Sequence, residues 1–280
     1  MMTRRLARYV WIALATLVLM AVWVFPVIWT AVTSLKLPLD IFSYPPKLFF
    51  QATGMNYEAV LGGRQSLVPD LVTSTVVSVG ATVLSMAAAI PMAYVFARCY
   101  LRWKTALMLY TLFTYMTPRM GLVIPLFVAF RYFGLQGTYV GLIAVYMSFS
   151  LPFAVWLMTP YFEDIPREME EASLLDNAGK WRTLWYVVLP QVRGGIAVTA
   201  IFVFITAWNE FLFGVVLSGG QVRPVTVAMY NFIGVEQTLW GPLTAGAIAV
   251  MIPVIALGLG AQRGIIRGLT SGSVKGGSRQ

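Results

Sequence analysis

The 280-residue sequence predicts an all-α polytopic membrane protein with six transmembrane helices and a cytoplasmic helix-turn-helix loop between the fourth and fifth. Three observations predict it. Hydrophobic residues make up 59% of the chain and charged residues 11%, against roughly 25% charged in soluble domains. The charges are clustered, which leaves six long runs nearly free of them. Six of the eleven acidic residues sit together in one loop. This composition excludes a water-soluble enzyme and a disordered chain. The net charge of +9 does not point to nucleic acid, because the basic residues flank apolar segments, the arrangement expected for anionic lipid and topology control.

The spans fall at 10–34, 71–97, 105–130, 138–160, 194–218 and 240–262, in one transmembrane domain covering 1–280. Each has the roughly 20 residues a helix needs to cross about 30 Å of hydrocarbon. Barrel strands of about 10 alternating residues are absent. Arg4, Arg5 and Arg8 precede the first span, but its apolar run exceeds the roughly 7–15 residues of a signal-peptide core, so it is read as a retained helix. The connection from 36 to 70 contains Pro38, Pro45 and Pro46 and is expected to be partly extended.

Basic residues set the orientation. Arg4, Arg5, Arg8, Arg98, Arg102, Lys104, Arg167, Lys180, Arg182, Arg193, Arg263, Arg267, Lys275 and Arg279 fall on one side, and only Lys36, Lys47, Arg64, Arg131 and Arg223 on the other. Both termini are therefore expected in the cytoplasm. The chain has no histidine, which removes His-dependent triads, HExxH zinc sites and haem-His ligation. Its one cysteine, Cys99, allows no intrachain disulfide or Cys-rich metal cluster and is read as a small residue at a helix end. No metal or other cofactor is expected.

The acidic loop spans 163–190. Pro166 suits the first position of a helix, and Glu168, Glu170 and Glu171 then lie in its first turns, where the helix dipole favours anions. Met169, Ala172, Ser173 and Asp176 recur at spacings of three and four and share a face. Asn177 is a left-handed helix stop. A second helix over 181–189 is expected to end before Pro190. A helix lying on lipid headgroups is disfavoured by these acidic residues, because the cytoplasmic leaflet is itself anionic.

These residues resemble the EAA motif of permease subunits of binding-protein-dependent ABC importers. The matching positions are Glu171, Ala172 and Ser173, then Asp176, Asn177 and Ala178, then Leu189 and Pro190. Ser173 stands where the motif has Ala, and Asn177 where it has Gly. Ile165 and Pro166, the run from Ala207 to Phe211, and Arg267, Gly268, Leu269, Thr270, Gly272, Lys275 and Gly276 look like the carbohydrate branch, which holds the second permease of maltose-type and polyol importers. The resemblance implies a type I permease fold in the bacterial inner membrane. It also implies a homologous second permease, two cytoplasmic ATPase subunits, an extracytoplasmic solute-binding protein and a carbohydrate or polyol substrate. On it, Glu170, Glu171, Ala172, Ser173, Asp176, Asn177 and Ala178 couple the chain to an ATPase. The chain lacks a phosphate-cradling loop of its own. Lys180 is followed by Trp181, and position 174 is Leu rather than Gly.

Two charges lie within the spans, Arg119 in the third and Glu210 in the fifth. A charge there costs about 2.5–3.5 kcal/mol on insertion scales. At about 1.5 Å of rise per residue, both fall at similar depth in the outer half. They either pair with each other or, with Asn209, line a polar substrate path; Arg119 reaching an interface is a third reading. Two other classes remain. A secondary transporter fits the prolines of the third span but leaves the acidic loop unexplained. An intramembrane enzyme lacks histidine and paired intramembrane carboxylates.

Overall fold

Helices account for the named elements of the structure, a computed structural model that describes residues 2–63, 66–220, 222–234 and 237–273, with side chains described within 9–260. Arg64, Lys275, Gly276 and Arg279 lie outside the described residues, as do the side chains of Arg4, Arg5, Arg8, Arg263 and Arg267. In chain order the helices are α1 (Met2–Ser34), α2 (Pro38–Ile41), α3 (Met55–Leu61), α4 (Val68–Arg98), α5 (Lys104–Met116), α6 (Arg119–Tyr132), α7 (Tyr139–Glu163), α8 (Arg167–Leu175), α9 (Lys180–Thr183), α10 (Leu189–Gln191), α11 (Arg193–Trp208), α12 (Leu212–Leu217), α13 (Val225–Met229) and α14 (Trp240–Ser273). A π-turn, Leu184–Val188, joins α9 to α10.

Four stretches are long and apolar enough to cross a membrane alone: Tyr9–Ser34, Val68–Arg98, Tyr139–Glu163 and Trp240–Gly260. Two bent pairs raise the number to as many as six, α5 with α6 at 88° and the α9–α10 run with α11 at 81°. Instead of one helix over 105–130, the third span is two. Pro118 has no N–H to continue the ladder, and it pushes Thr117 into extended backbone at φ −59°, ψ 129°. The helix expected over 194–218 also divides, because α11 stops at Trp208 and α12 starts at Leu212. No proline or glycine lies between them. A side chain takes over a backbone group instead: Glu210 Oε1 accepts from the Phe213 N–H at 3.2 Å, while Asn209 Nδ2 adds a bond at 2.8 Å to Ile205 O, which also accepts from the Asn209 N–H at 3.1 Å.

The second helix of the acidic loop runs on to Gln191, past the end expected before Pro190. A proline ring crowds the carbonyl four residues back. The π-turn ahead of it widens the ladder and relieves that crowding. Pro166 sits at the N-cap of α8, one place before the first helical position expected for it.

The chain falls into two compact units, Met1–Pro69 with Met229–Ile252, and Asp70–Ala228 with Pro253–Gln280. In the first, buried Asn56 on α3 closes the end of α1, donating from Nδ2 to Ser34 O at 2.8 Å and Lys36 O at 2.9 Å. Those carbonyls have no partner within the helix. Lys36 is buried, donates to Lys47 O at 2.7 Å and lies over the rings of Trp29 and Phe50.

The second unit has two cores. One gathers Ala89 and Ala93 of α4, Ala154, Val155, Met158 and Phe162 of α7, and Leu184 and Val188 of the π-turn. The other gathers Val77 and Ala81 of α4, Leu142, Val145 and Phe149 of α7, and Phe213 and Leu217 of α12. Small residues let the backbones approach. A Cβ on Gly195 of α11 would lie 2.5 Å from the Tyr161 ring of α7.

Candidate coupling surface and intramembrane charge site

The acidic loop folds as a helix, a left-handed turn and a second helix. Asn177 has φ 57°. The Ala178 N–H donates to Ser173 O at 3.2 Å and the Asn177 N–H to Leu174 O at 3.1 Å, the paired bonds of a Schellman cap. The hydroxyls of Ser173 and Thr183 meet at 3.0 Å and tie α8 to α9. Between them lies an open groove of about 440 Å³, lined by Met169, Ala172 and Ser173 from α8, by Asp176 at its C-cap, by Ala178, and by Arg182 and Tyr186 across it. Four of the seven residues singled out for coupling, Ala172, Ser173, Asp176 and Ala178, share this surface. Glu171 and Asn177 are exposed but outside the lining.

Glu170 points the other way. It is buried, and both carboxylate oxygens are occupied: Oε1 accepts from Arg98 Nε at 2.5 Å and Oε2 from the Tyr94 hydroxyl at 2.8 Å. Arg98 Nη2 also donates to Ile165 O at 2.7 Å, just before α8 begins. Sequence reasoning missed this clamp. Tyr94 and Arg98, at i and i+4 on α4, share a helix face, which was the available signal.

Arg119 and Glu210 are ion-paired, and each stands at a helix break: Arg119 opens α6, and Glu210 lies between α11 and α12. The Arg119 guanidinium also lies 5.3 Å from the centre of the Phe149 ring, which stacks on Phe213. Glu210 O accepts from the Thr226 hydroxyl at 3.0 Å and from the Tyr146 hydroxyl at 3.3 Å. The crevice beside the pair measures about 10 Å³, room for about one water. Asn209 takes no part in it, its amide being bonded to its own helix.

A second pair lies at the opposite end of α4. Arg223 donates from Nε and Nη2 to the two carboxylate oxygens of Asp70, both at 2.9 Å. That hydrogen bonding pushes the Arg223 pKa up and holds the guanidinium charged. The Val225 N–H donates to Ser74 Oγ at 2.7 Å. In the sequence Arg223 reads only as a topology charge, and nothing marks Asp70 as its partner.

The family model described as binding-protein-dependent transport system inner membrane component matches residues 81–271. The chain is 35% identical over 283 aligned positions to the trehalose transport system permease protein SugB of Mycobacterium tuberculosis, covering 98% of this chain and 100% of that one. It is 30% identical to the trehalose/maltose transport system permease protein MalG of Thermococcus litoralis, covering 90% and 91%. Its fold matches a chain in the solved structure of a bacterial ABC transporter involved in the import of the acidic polysaccharide alginate, with a TM-score of 0.76, 22% identity, and coverage of 90% of this chain and 94% of that one.

Proposed function

The chain belongs to the family of inner-membrane components of binding-protein-dependent transport systems, and on that premise we propose that it is the transmembrane subunit of an ATP-driven importer of a sugar or polyol. It crosses the bacterial cytoplasmic membrane six times as one permease domain, with both termini in the cytoplasm, and breaks no covalent bond itself. A homologous permease supplies the other half of the path. Two cytoplasmic ATPases hydrolyse ATP, and an extracytoplasmic binding protein delivers the substrate. The observation that carries this reading is the capped turn at Asn177, which sets α8 and α9 around an open groove and leaves Glu171 exposed beside it. An acidic helix with Glu171 exposed beside the small residues Ala172 and Ser173 fits a basic groove on a partner, where a charge-assisted bond fixes its register. The disaccharide-named relatives support the substrate class.

The test is purification from native membranes and identification of the attached chains, followed by reconstitution into vesicles with the binding protein. We expect ATPase subunits and a second permease to co-purify, and uptake of a sugar or polyol from a labelled panel to require ATP. The chain stripped of partners should show no ATP turnover above background. Uptake that survives ATP removal and collapses with an ionophore would establish a secondary transporter instead, a class in which breaks such as those at 117–118 and 209–211 line binding sites.

A further inference from the structure

Helix α4 is 31 residues long, about 46 Å at 1.5 Å per residue. Each end carries a pair of polar side chains at i and i+4, and each pair holds a different element of the same unit. Near its C-terminal end, Tyr94 and Arg98 grip Glu170 and the Ile165 carbonyl at the start of α8. Near its N-terminal end, Asp70 and Ser74 hold Arg223 and the Val225 N–H. One residue further on, Thr226 donates to Glu210 O in the break between α11 and α12. The side chains of Glu170, Arg98 and Asp70 are 11%, 10% and 8% exposed. The Glu170–Arg98 bond, shielded on both sides, is the stronger kind, whereas Arg223 is 41% exposed and its hold on Asp70 rests on the two parallel 2.9 Å bonds.

We propose that α4 is a strut that carries displacement of α8 to the 223–228 segment and so to the Glu210 break, with Glu170, Arg98, Asp70 and Arg223 as its positioning residues. The contacts run in series, and α4 continues through Pro91, where one bond of its ladder is missing. From α8 the path goes through Glu170 to Arg98, along α4 to Asp70 and Ser74, across to Arg223 and Val225, and through Thr226 to the Glu210 carbonyl. It removes Glu170 from the surface that meets an ATPase and makes it an inward anchor, leaving the outward contact to its neighbours. This deepens the importer reading and rests on it for direction: the force enters at α8.

The first arm of the test is independent of transport. Backbone hydrogen exchange across 223–228 is measured in the purified full chain, wild type and Glu170→Gln. The strut predicts exchange in that segment faster by about threefold or more, within the range by which changes along a connected network alter coupling. Unchanged exchange at 223–228 overturns it. The second arm uses the assembled importer and reads substrate carried per ATP hydrolysed. Glu170→Gln and Asp70→Asn should each lower that ratio while the ATPase subunits stay bound. The double variant should be no worse than the poorer single, because links in series fail together. Losses that multiply, or singles with the wild-type ratio, overturn the proposal. If Glu170→Gln sheds its ATPase subunits, Tyr94→Phe, which removes one bond to Glu170 and keeps both charges, replaces it. That variant must then lower the ratio, and a wild-type ratio rejects the clamp. A wild-type chain without ATP-dependent uptake would defeat the importer reading, and the exchange arm would still decide the strut.

Discussion

Neutralising either member of the Arg119–Glu210 pair should damage the protein more than neutralising both. Removing one partner of a fully buried ion pair costs about 3–5 kcal/mol, chiefly because the other charge is left uncompensated. Here the Glu210 side chain is 7% exposed and that of Arg119 33%. With one partner a third open, screening lowers the expectation to about 2–3 kcal/mol. Glu210→Gln keeps an oxygen for the Phe213 N–H and leaves Arg119 the Phe149 face, a contact worth about 0.5–2 kcal/mol. Arg119→Met leaves a shielded carboxylate with the Phe213 N–H as its side-chain contact in the described network, so it should be the worse of the two. The double variant should recover at least half of the worse single loss. The assay is thermal unfolding in detergent micelles together with uptake in cells for all four forms. Losses in the double variant that equal the sum of the singles would refute the reasoning and leave two independent polar residues of a substrate path.

Three further outcomes are expected. Asn177→Val should disfavour the left-handed turn by about 1–2 kcal/mol and lower uptake with insertion intact, whereas Asn177→Gly should be tolerated; normal uptake by the Val variant would show that the cap is not needed. Glu171→Lys should abolish uptake and ATPase retention, since breaking a charge pair at a desolvated contact costs about 2–5 kcal/mol, while Glu163→Lys loses only the exposed 3.0 Å contact with Lys104, about 0–1 kcal/mol. Equal losses at 163 and 171, measured by how much ATPase co-purifies, would point to loop charge in general. Gly195→Leu should drive a side chain into the Tyr161 ring, at about 1–3 kcal/mol, and lower the unfolding temperature; an unshifted transition would mean that α11 and α7 can separate there.

Local features were legible and remote ones were not. The face of Met169, Ala172, Ser173 and Asp176 could be read because helical period alone places those residues together. The turn at Asn177 could be read because few side chains accept a positive φ. Pro118 announced a disturbance in the third span, although not that the helix would divide. The break at 209–211 gave no such notice, since it holds no proline or glycine and the Glu210 side chain takes the Phe213 N–H there. Glu170 looked like its neighbour Glu171, and only the packing of α4 against the start of α8, 72 residues away in sequence, separates an inward acid from an outward one. Asp70 and Arg223 are 153 residues apart, and composition carries no signal of which loop charge meets which. Pro190 read as a stop because the π-turn that accommodates it has no sequence signature.

That π-turn bears on how the family's lengths vary. Insertions and deletions are ordinarily confined to loops, because one residue more or less inside a helix rotates everything beyond it by about 100°. The segment Leu184–Val188 is a wider, i→i+5 turn that holds more residues than an α-helical one. Loss of one residue there returns the ladder to ordinary α-helical spacing and leaves the helices on both sides in phase. The stretch between Thr183 and Leu189 is therefore a place inside a packed helix where a relative one residue shorter keeps the same groove, and where an alignment gap has a physical location.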